Sequence, residues 1–258
     1  MKEKIYTIPV TDAFNQDCEC PLCLLDKKLE DSYIDYVLGP SLMEPDGRIE
    51  TNEKGFCLRH FEKLYNSHLN SHGMGLIMDT YLQGKNALIK KLYEKKSAAI
   101  KKDTRLSAID SIANKVSRKQ TETGKFIEEM LTLLSTQEIR CTICDKKDYT
   151  MSRYIEVIFF LWSNEKEFRE LFKTRKGFCM KHLKLLLEGS KKNLSPSETA
   201  GFITILMDKQ LESMSKLQAD VNWFTKKFDY RNNDAPWGDS KDAVQRSIRK
   251  IAGNCDLK

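Results

Sequence analysis

The chain has 258 residues, of which 40% are hydrophobic and 31% are charged, so it is long enough to bury a core and does not have the composition of a disordered chain. No apolar signal-peptide run follows the N-terminus, and the most apolar short stretch, 154–162, is far below the ~20 residues that a membrane span needs. We therefore expect a cytoplasmic protein that does not insert into a membrane.

The net charge of +6 is unevenly distributed along the chain. Residues 84–125 contain 12 Lys and Arg against 4 Asp and Glu, whereas residues 1–83 contain 8 against 14. The basic segment 84–125, and within it Lys90, Lys91, Lys95, Lys101 and Lys102, is a candidate surface for nucleic acid or another anionic partner. It is equally typical of a solvated helix face, and it contains few of the aromatic residues that stack on single-stranded nucleic acid.

Helical periodicity dominates the chain, and period-two strand signals are scarce. Ser195, Pro196 and Glu198 form the N-cap, first-turn proline and capping-box glutamate of a long helix. In chain order, helices are predicted over 24–38, 73–102, 147–162, 165–172 (with Asn164 as its cap), 196 to about 229, and 239–251. The sequence thus predicts an all-α fold.

Six of the eight cysteines belong to a pattern that occurs twice. The first copy has a CxxC pair at Cys20 and Cys23 and a GFCxxH motif that ends in Cys57 and His60. The second copy repeats both elements at Cys141, Cys144, Cys179 and His182, and the number of residues between the second CxxC cysteine and the GFCxxH cysteine differs by one, 33 against 34. Such agreement indicates an internal duplication of roughly 120 residues.

Three thiolates and one imidazole form a closed ligand set that suits tetrahedral zinc. A CxxC turn directs both sulfurs to one ion, and a cysteine and a histidine three residues apart on a helix project from the same face. Gly55 and Gly177 are expected to supply unusual backbone angles before the second ligand pair, which we expect in the first turn of a helix. We expect each copy to form its own site, which gives two zinc ions per chain.

Other interpretations of the cysteines remain open. An iron–sulfur cluster can also use three cysteines and a histidine, and Cys18 is a candidate additional ligand at the first site. Disulfides, a thioredoxin-like CxxC and buried cysteines without metal are further alternatives. Cys255 is expected to be a free thiol, and His68 and His72 are expected to be surface residues.

The duplication suggests a division of the chain along the sequence. The expected parts are a first metal-binding helical repeat (1–102), a helical connector (103–135, with a break near Gly124), a second metal-binding repeat (136–229) and a C-terminal clasp with a helix (230–258).

The doubled CxxC and GFCxxH pattern resembles that of an uncharacterised family of bacterial proteins, a domain of unknown function. The resemblance extends to the tail, with its FDYR, PWG and KDA elements, and it implies no activity. The tail is a second candidate site, for an anion or a partner, or else a structural clasp; its residues of interest are Asp229, Tyr230, Arg231, Trp237, Lys241, Asp242 and Arg246.

The function that fits these features best is an interaction or scaffold module with structural zinc and a protein partner. A redox or metal sensor that uses the cysteine sites is one alternative. An enzyme is another, with its site at an open metal position or in the tail, although the chain has no phosphate loop, nucleophile elbow or HExxH motif.

Overall fold

The structure of the protein is a computed structural model that describes residues 3–103, 121–138 and 141–253. These residues contain no strand, which confirms the all-α prediction, and none of their helices is both long and apolar enough to cross a membrane. The helices are α1 (Glu3–Asn15), α2 (Pro21–Leu38), α3 (Pro45–Lys54), α4 (Leu58–Asn66), α5 (Ser71–Asp103), α6 (Glu122–Glu138), α7 (Thr142–Asn164), α8 (Lys166–Lys173), α9 (Met180–Asn193), α10 (Pro196–Lys226) and α11 (Ala243–Ala252).

Each predicted helix is present and ends within three residues of the prediction, whereas α2, α7 and α11 start at Pro21, Thr142 and Ala243 rather than at 24, 147 and 239. The capping box of α10 is present, with the Ser195 side chain bonded to the backbone of Glu198 and the Glu198 side chain bonded back. Asn164 does not cap α8, because its side-chain amide donates to the Phe160 carbonyl at the end of α7 instead. α10 ends at Lys226 rather than near Asp229 because the Lys227 ammonium bonds the carbonyls of the turn that follows.

The connector is only partly described. Residues 104–120 and Cys255 lie outside the described residues, so the expectations for them stay predictions. Gly124 does not break a helix; it lies in the first turn of α6, where its amide donates to the Thr121 hydroxyl. The final helix starts later than expected, at Ala243, after a 3-10 turn over Gly238–Ser240.

The chain divides into two compact units, each with its own core. Unit 1 comprises Met1–Asp31 and Lys147–Lys258, and unit 2 comprises Ser32–Lys146, so α2 and α7 contribute residues to both. This division reflects contacts in space. The division into 1–102, 103–135, 136–229 and 230–258 follows the motif copies along the chain, and it stays a prediction, as does the duplication itself.

Aromatic rings dominate the core of unit 1. Phe172 is 1% exposed, and its ring lies 5.3–5.8 Å, between centroids, from those of Phe14, Trp162, Phe178 and Phe202. Rings at these separations and tilts contribute beyond the area that they bury. The core of unit 2 is smaller and mainly aliphatic, and its buried members are Ile34, Val37, Leu38, Phe56, Leu64, Ile77, Cys141 and Ile143.

Truncation of Phe172 tests whether the aromatic cluster is central to unit 1. We expect Phe172→Ala to lower the free energy of unfolding by about 3–5 kcal/mol, because it removes apolar contacts and leaves a cavity. Urea unfolding followed by circular dichroism measures this change. The matched control is Phe228→Ala, at a side chain that is 76% exposed; equal effects of the two substitutions would contradict the assigned core.

Candidate metal centres

All four ligand pairs of the sequence motifs lie at the N-terminal ends of helices. Cys20 and Cys141 directly precede α2 and α7, and Cys23 and Cys144 follow in the first turns of those helices. The other two cysteines are one residue earlier than expected, because Cys57 and Cys179 are the N-cap residues of α4 and α9 rather than members of the first turn. Helix N-termini favour negative charge, so this placement stabilises thiolates.

The first group, called site 1, lies entirely in unit 1 and contains Cys20, Cys23, Cys179 and His182. The Nδ1 atom of His182 lies 3.5 Å from the sulfur of Cys20, 3.4 Å from that of Cys23 and 3.2 Å from that of Cys179. The sulfurs of Cys23 and Cys179 are 3.6 Å apart. The three sulfurs and the Nδ1 atom therefore surround a common centre.

The second group, called site 2, lies entirely in unit 2 and has the same composition. The Nδ1 atom of His60 lies 3.2 Å from the sulfurs of Cys57 and Cys141 and 3.4 Å from that of Cys144. The sulfurs of Cys57 and Cys144 are 4.0 Å apart. In both sites the four ligand atoms all lie within 4.8 Å of one another.

The structure corrects the expected pairing of these ligands. The expectation that each sequence copy supplies a complete set is wrong, since each site combines the CxxC of one copy with the CxxH of the other. The core packing follows the same exchange. Leu22, inside the first CxxC, shares a core with Phe178, whereas Ile143, inside the second CxxC, shares a core with Phe56.

Glycine is required in both turns that precede the CxxH cysteines. Gly55 and Gly177 have φ angles of 67° and 92°, as expected from the sequence. A side chain at Gly55 would also collide with the Tyr81 ring, which lies 2.6 Å from the ideal Cβ position. The turn at site 1 is further held by Gln210, whose amide oxygen accepts from the Phe178 N–H at 2.9 Å and whose amide nitrogen donates to the Phe178 carbonyl at 3.0 Å.

The thiols of site 1 do not share negative charge equally. Burial raises the pKa of Cys20 well above its ordinary value. Hydrogen bonds from Cys20 and Cys23 hold the pKa of Cys179 far below the usual range. Negative charge in site 1 is therefore favoured at the Cys179 sulfur and opposed at the Cys20 sulfur.

Site 2 has the same unequal distribution. Burial raises the pKa of Cys141, but hydrogen bonding to His60 and to backbone amides outweighs it and brings the pKa to about 6. Burial and the negative charge of Cys141 raise the pKa of Cys144. Full ionisation of three sulfurs at such distances requires a bound cation, because like charges oppose one another.

The observed distances match the edges of a single tetrahedral centre. With zinc–sulfur bonds of about 2.3 Å and zinc–nitrogen bonds of about 2.0–2.1 Å, a regular tetrahedron separates two sulfurs by about 3.8 Å and a sulfur from a nitrogen by about 3.6 Å. The observed separations of 3.2–4.0 Å are close to these values. They are also much longer than a disulfide bond, which is about 2.05 Å, and all six of these cysteines are free thiols.

Two residues that support site 1 are absent from the sequence-based candidates. Gln210 holds the turn as described above, and Lys250 of α11 is 1% exposed. The sequence carries one weak signal for Lys250, since it lies seven residues after the buried Ala243 and therefore on the same helix face. The interaction of Gln210 with the turn involves only backbone atoms of Phe178, which no sequence pattern specifies.

The remaining cysteine and histidine candidates lie apart from the two sites. Cys18 is half-buried and belongs to neither ligand group, and burial raises the pKa of its thiol. His68 and His72 are exposed, as expected. His68 has a φ of 52°, in the left-handed region.

The tail residues do not converge on one point. Asp229 pairs with Arg231 at 2.5 Å. Arg246 pairs with Asp220 and Asp242, both at 2.9 Å, so its charge is already neutralised.

The aromatic and lysine members of the tail also lie separately. Trp237 packs on Phe224, with ring centroids 5.9 Å apart, and Tyr230 is 82% exposed. Lys241 is exposed. An anion or partner site in the tail stays a prediction.

Comparison with known proteins suggests no activity for this chain. The family model described as "Family of unknown function (DUF6062)" matches residues 1–258. Comparisons with curated proteins and with solved structures gave no match. The function must therefore be argued from the chemistry of the two sites.

Paired cysteine substitutions distinguish the observed ligand groups from the sequence copies. We expect the double variant Cys20→Ser/Cys179→Ser, which alters site 1 alone, to retain half of the bound metal per chain. The double variant Cys20→Ser/Cys57→Ser alters two cysteines of one sequence copy but one in each site, and we expect it to lose most of both ions. Metal per chain is measured by elemental analysis after gel filtration. If Cys20→Ser/Cys57→Ser retained more metal than Cys20→Ser/Cys179→Ser, the exchanged pairing would be contradicted.

Proposed function

We propose that this chain, which belongs to the DUF6062 family of unknown function, binds two zinc ions as structural cross-links and acts as an interaction or scaffold module. The observation that carries the proposal is the convergence of three sulfurs and one Nδ1 atom, within 4.8 Å of one another, at each of two sites. Four protein ligands of this kind complete a tetrahedral zinc site.

The spacing supports a single ion at each site rather than an iron–sulfur cluster. In a cluster the protein ligands bind different iron atoms. The distances between those ligands are therefore longer than the distances between ligands of a single ion. The sulfur–sulfur distances of 3.6 and 4.0 Å are those of ligands that share one ion. Zinc is the ion that most commonly binds three cysteines and one histidine in a closed tetrahedral site.

A structural role follows from the closure of the coordination shell. With four protein ligands, no position remains for water or substrate, so the zinc would stabilise the fold rather than activate a reactant. Each ion would join two helix N-termini that are distant in sequence. The thiols stay reduced in the cytoplasm, which is the compartment that we propose for the protein.

The paired helices α5 and α6 are the surface that we propose for a partner protein. They pack together through Tyr93 and Phe126, with ring centroids 6.1 Å apart, and through ion pairs of Lys96 with Glu122 and Glu129. Large apolar side chains on these two helices, the Tyr93 ring of the contact included, remain 42–58% exposed, namely Leu82, Leu88, Ile89, Tyr93, Ile127, Leu131 and Leu134. Such a concentration of exposed apolar side chains is typical of interaction sites.

The same helices carry the described parts of the basic segment, residues 84–103 and 122–125, and therefore also suit an anionic partner. Lys91 and Lys95 line a cleft of about 610 Å³ together with Leu88, Leu92 and Leu133. Nucleic acid binding through this surface would weaken steeply with salt, because phosphate contacts release counterions. An affinity that is indifferent to salt would exclude that form of the proposal.

Elemental analysis of the untagged protein, purified without added metal, tests the zinc assignment directly. We expect a colourless protein with two zinc ions per chain, and a loss of helical circular dichroism on chelation, because zinc binding and folding are coupled. We also expect acid to release the metal, since protons compete for the thiolates.

Two results would contradict the assignment. A brown protein that contains iron and sulfide would show that the sites hold an iron–sulfur cluster instead of zinc. Anaerobically prepared protein without any metal would show that the sites bind no metal. The double variant Cys20→Ser/Cys179→Ser is the matched control for partial loading, since it leaves site 2 intact.

A further inference from the structure

Lys250 is a fully buried lysine whose ammonium lies against the turn that carries the ligands of site 1. It is 1% exposed. Its Nζ donates to the Lys176 carbonyl at 3.0 Å and to the Ser213 hydroxyl at 2.7 Å. The same atom lies 3.2 Å from the position that a Cβ would occupy at Gly177, two residues before Cys179.

The charge of this ammonium has no carboxylate partner at ion-pair distance among the described residues. Glu19 is the carboxylate that acts on it most strongly, but Glu19 pairs with Arg246 at 3.7 Å. A buried charge is costly unless another charge compensates it. Burial lowers the pKa of Lys250, and the negative charges of Glu19, Cys20, Cys179 and Cys23 act in the opposite direction.

Site 1 is the group that requires such compensation. Three thiolates and one neutral imidazole around a divalent ion carry a net charge of −1. Cys20, Cys179 and His182 are 5%, 1% and 1% exposed, so water contributes little to the stabilisation of that charge. A buried ammonium beside the site provides the missing positive charge.

Site 2 differs from site 1 in the burial of its cysteines and in the lysines that surround it. Cys57 and Cys144 are both half-buried, whereas in site 1 Cys23 alone is half-buried and Cys20 and Cys179 are buried. The lysines near this site are partly exposed and already paired, because Lys54 contacts both Glu50 and Asp145. Lys146 likewise pairs with Glu50 at 2.9 Å.

We propose that the two sites are unequal, with Lys250 as the buried counter-charge that retains the metal of site 1 and site 2 as the site that releases its metal first. This inference rests on the proposed function, because only a metal holds all three sulfurs ionised. It makes site 2 the position at which metal availability or an oxidant acts on the protein, while site 1 remains loaded. Lys250 acts on the ion through its charge and is a positioning residue rather than a ligand.

Release of zinc to a chromophoric chelator tests the inequality in the full chain. For the wild type we expect two phases of equal amplitude. Lys250→Met retains most of the side-chain volume and removes the charge, and we expect it to accelerate the slow phase by about tenfold or more and to leave the fast phase unchanged.

Lys227→Met is the matched control for the loss of a buried ammonium. Lys227 is 6% exposed and donates to the carbonyls of Asn232, Asn233 and Ala235, in the segment that follows α10 rather than in the turn before Cys179. We expect this variant to retain both release rates. If Lys250 only anchored α11 through its hydrogen bonds, its substitution would lower thermal stability without a selective change in the slow phase of zinc release.

A wild-type experiment identifies the sites without any substitution. The zinc-loaded chain is treated with a limiting amount of chelator, alkylated briefly and analysed by peptide mass spectrometry. We expect Cys57, Cys141 and Cys144 to be alkylated before Cys20, Cys23 and Cys179. This order remains measurable if Lys250→Met does not fold.

The outcomes separate this inference from the proposed function. Absence of two zinc ions in the wild type would contradict the proposed function. Two ions that leave at one rate, or alkylation of site 1 first, would overturn the inequality alone. A folded Lys250→Met variant with an unchanged slow phase would overturn the role of Lys250.

Discussion

The crowding of three sulfurs and an imidazole nitrogen within 4.8 Å is the constraint on which the rest of this structure depends. Thiolates at such distances repel one another, and only a bound cation fully relieves this repulsion. Helix N-termini offset part of it at both sites, because their dipoles favour negative charge. Gly55, Gly177 and Gln210 hold the backbone that carries the ligands in place despite this repulsion.

The exchange of ligand pairs between the motif copies carries only a small cost in chain entropy. Cys23 and Cys179 are 156 residues apart, whereas Cys23 and Cys57 are 34 apart. Because the entropy of loop closure grows only with the logarithm of length, the longer loop costs about 1.4 kcal/mol more. A difference of that size is small beside the burial of a whole apolar cluster, and Leu22 lies with Phe178 in one core while Ile143 lies with Phe56 in the other.

The C-terminal segment contributes a buried side chain to the surroundings of site 1. Its expected functional residues are largely neutralised by neighbours, as in the pairs of Arg231 with Asp229 and of Arg246 with Asp220. The residue of this segment that matters most to the site is Lys250, whose ammonium lies under the turn before Cys179. A tail that appears chemically rich in sequence thus contributes mainly through one buried charge.

The sequence by itself determined the all-α fold, the capping of α10, the left-handed turns at Gly55 and Gly177 and the ligand types that converge, because these depend on local spacing and backbone geometry. It did not determine which CxxC faces which CxxH, since the two copies are chemically alike and either combination provides three sulfurs and one nitrogen. Only the tertiary structure decided that pairing, by bringing Leu22 and Phe178 into one core and Phe56 and Ile143 into the other. It also decided the positions of Gln210 and Lys250, whose interactions with the turn before Cys179 join residues that are distant along the chain.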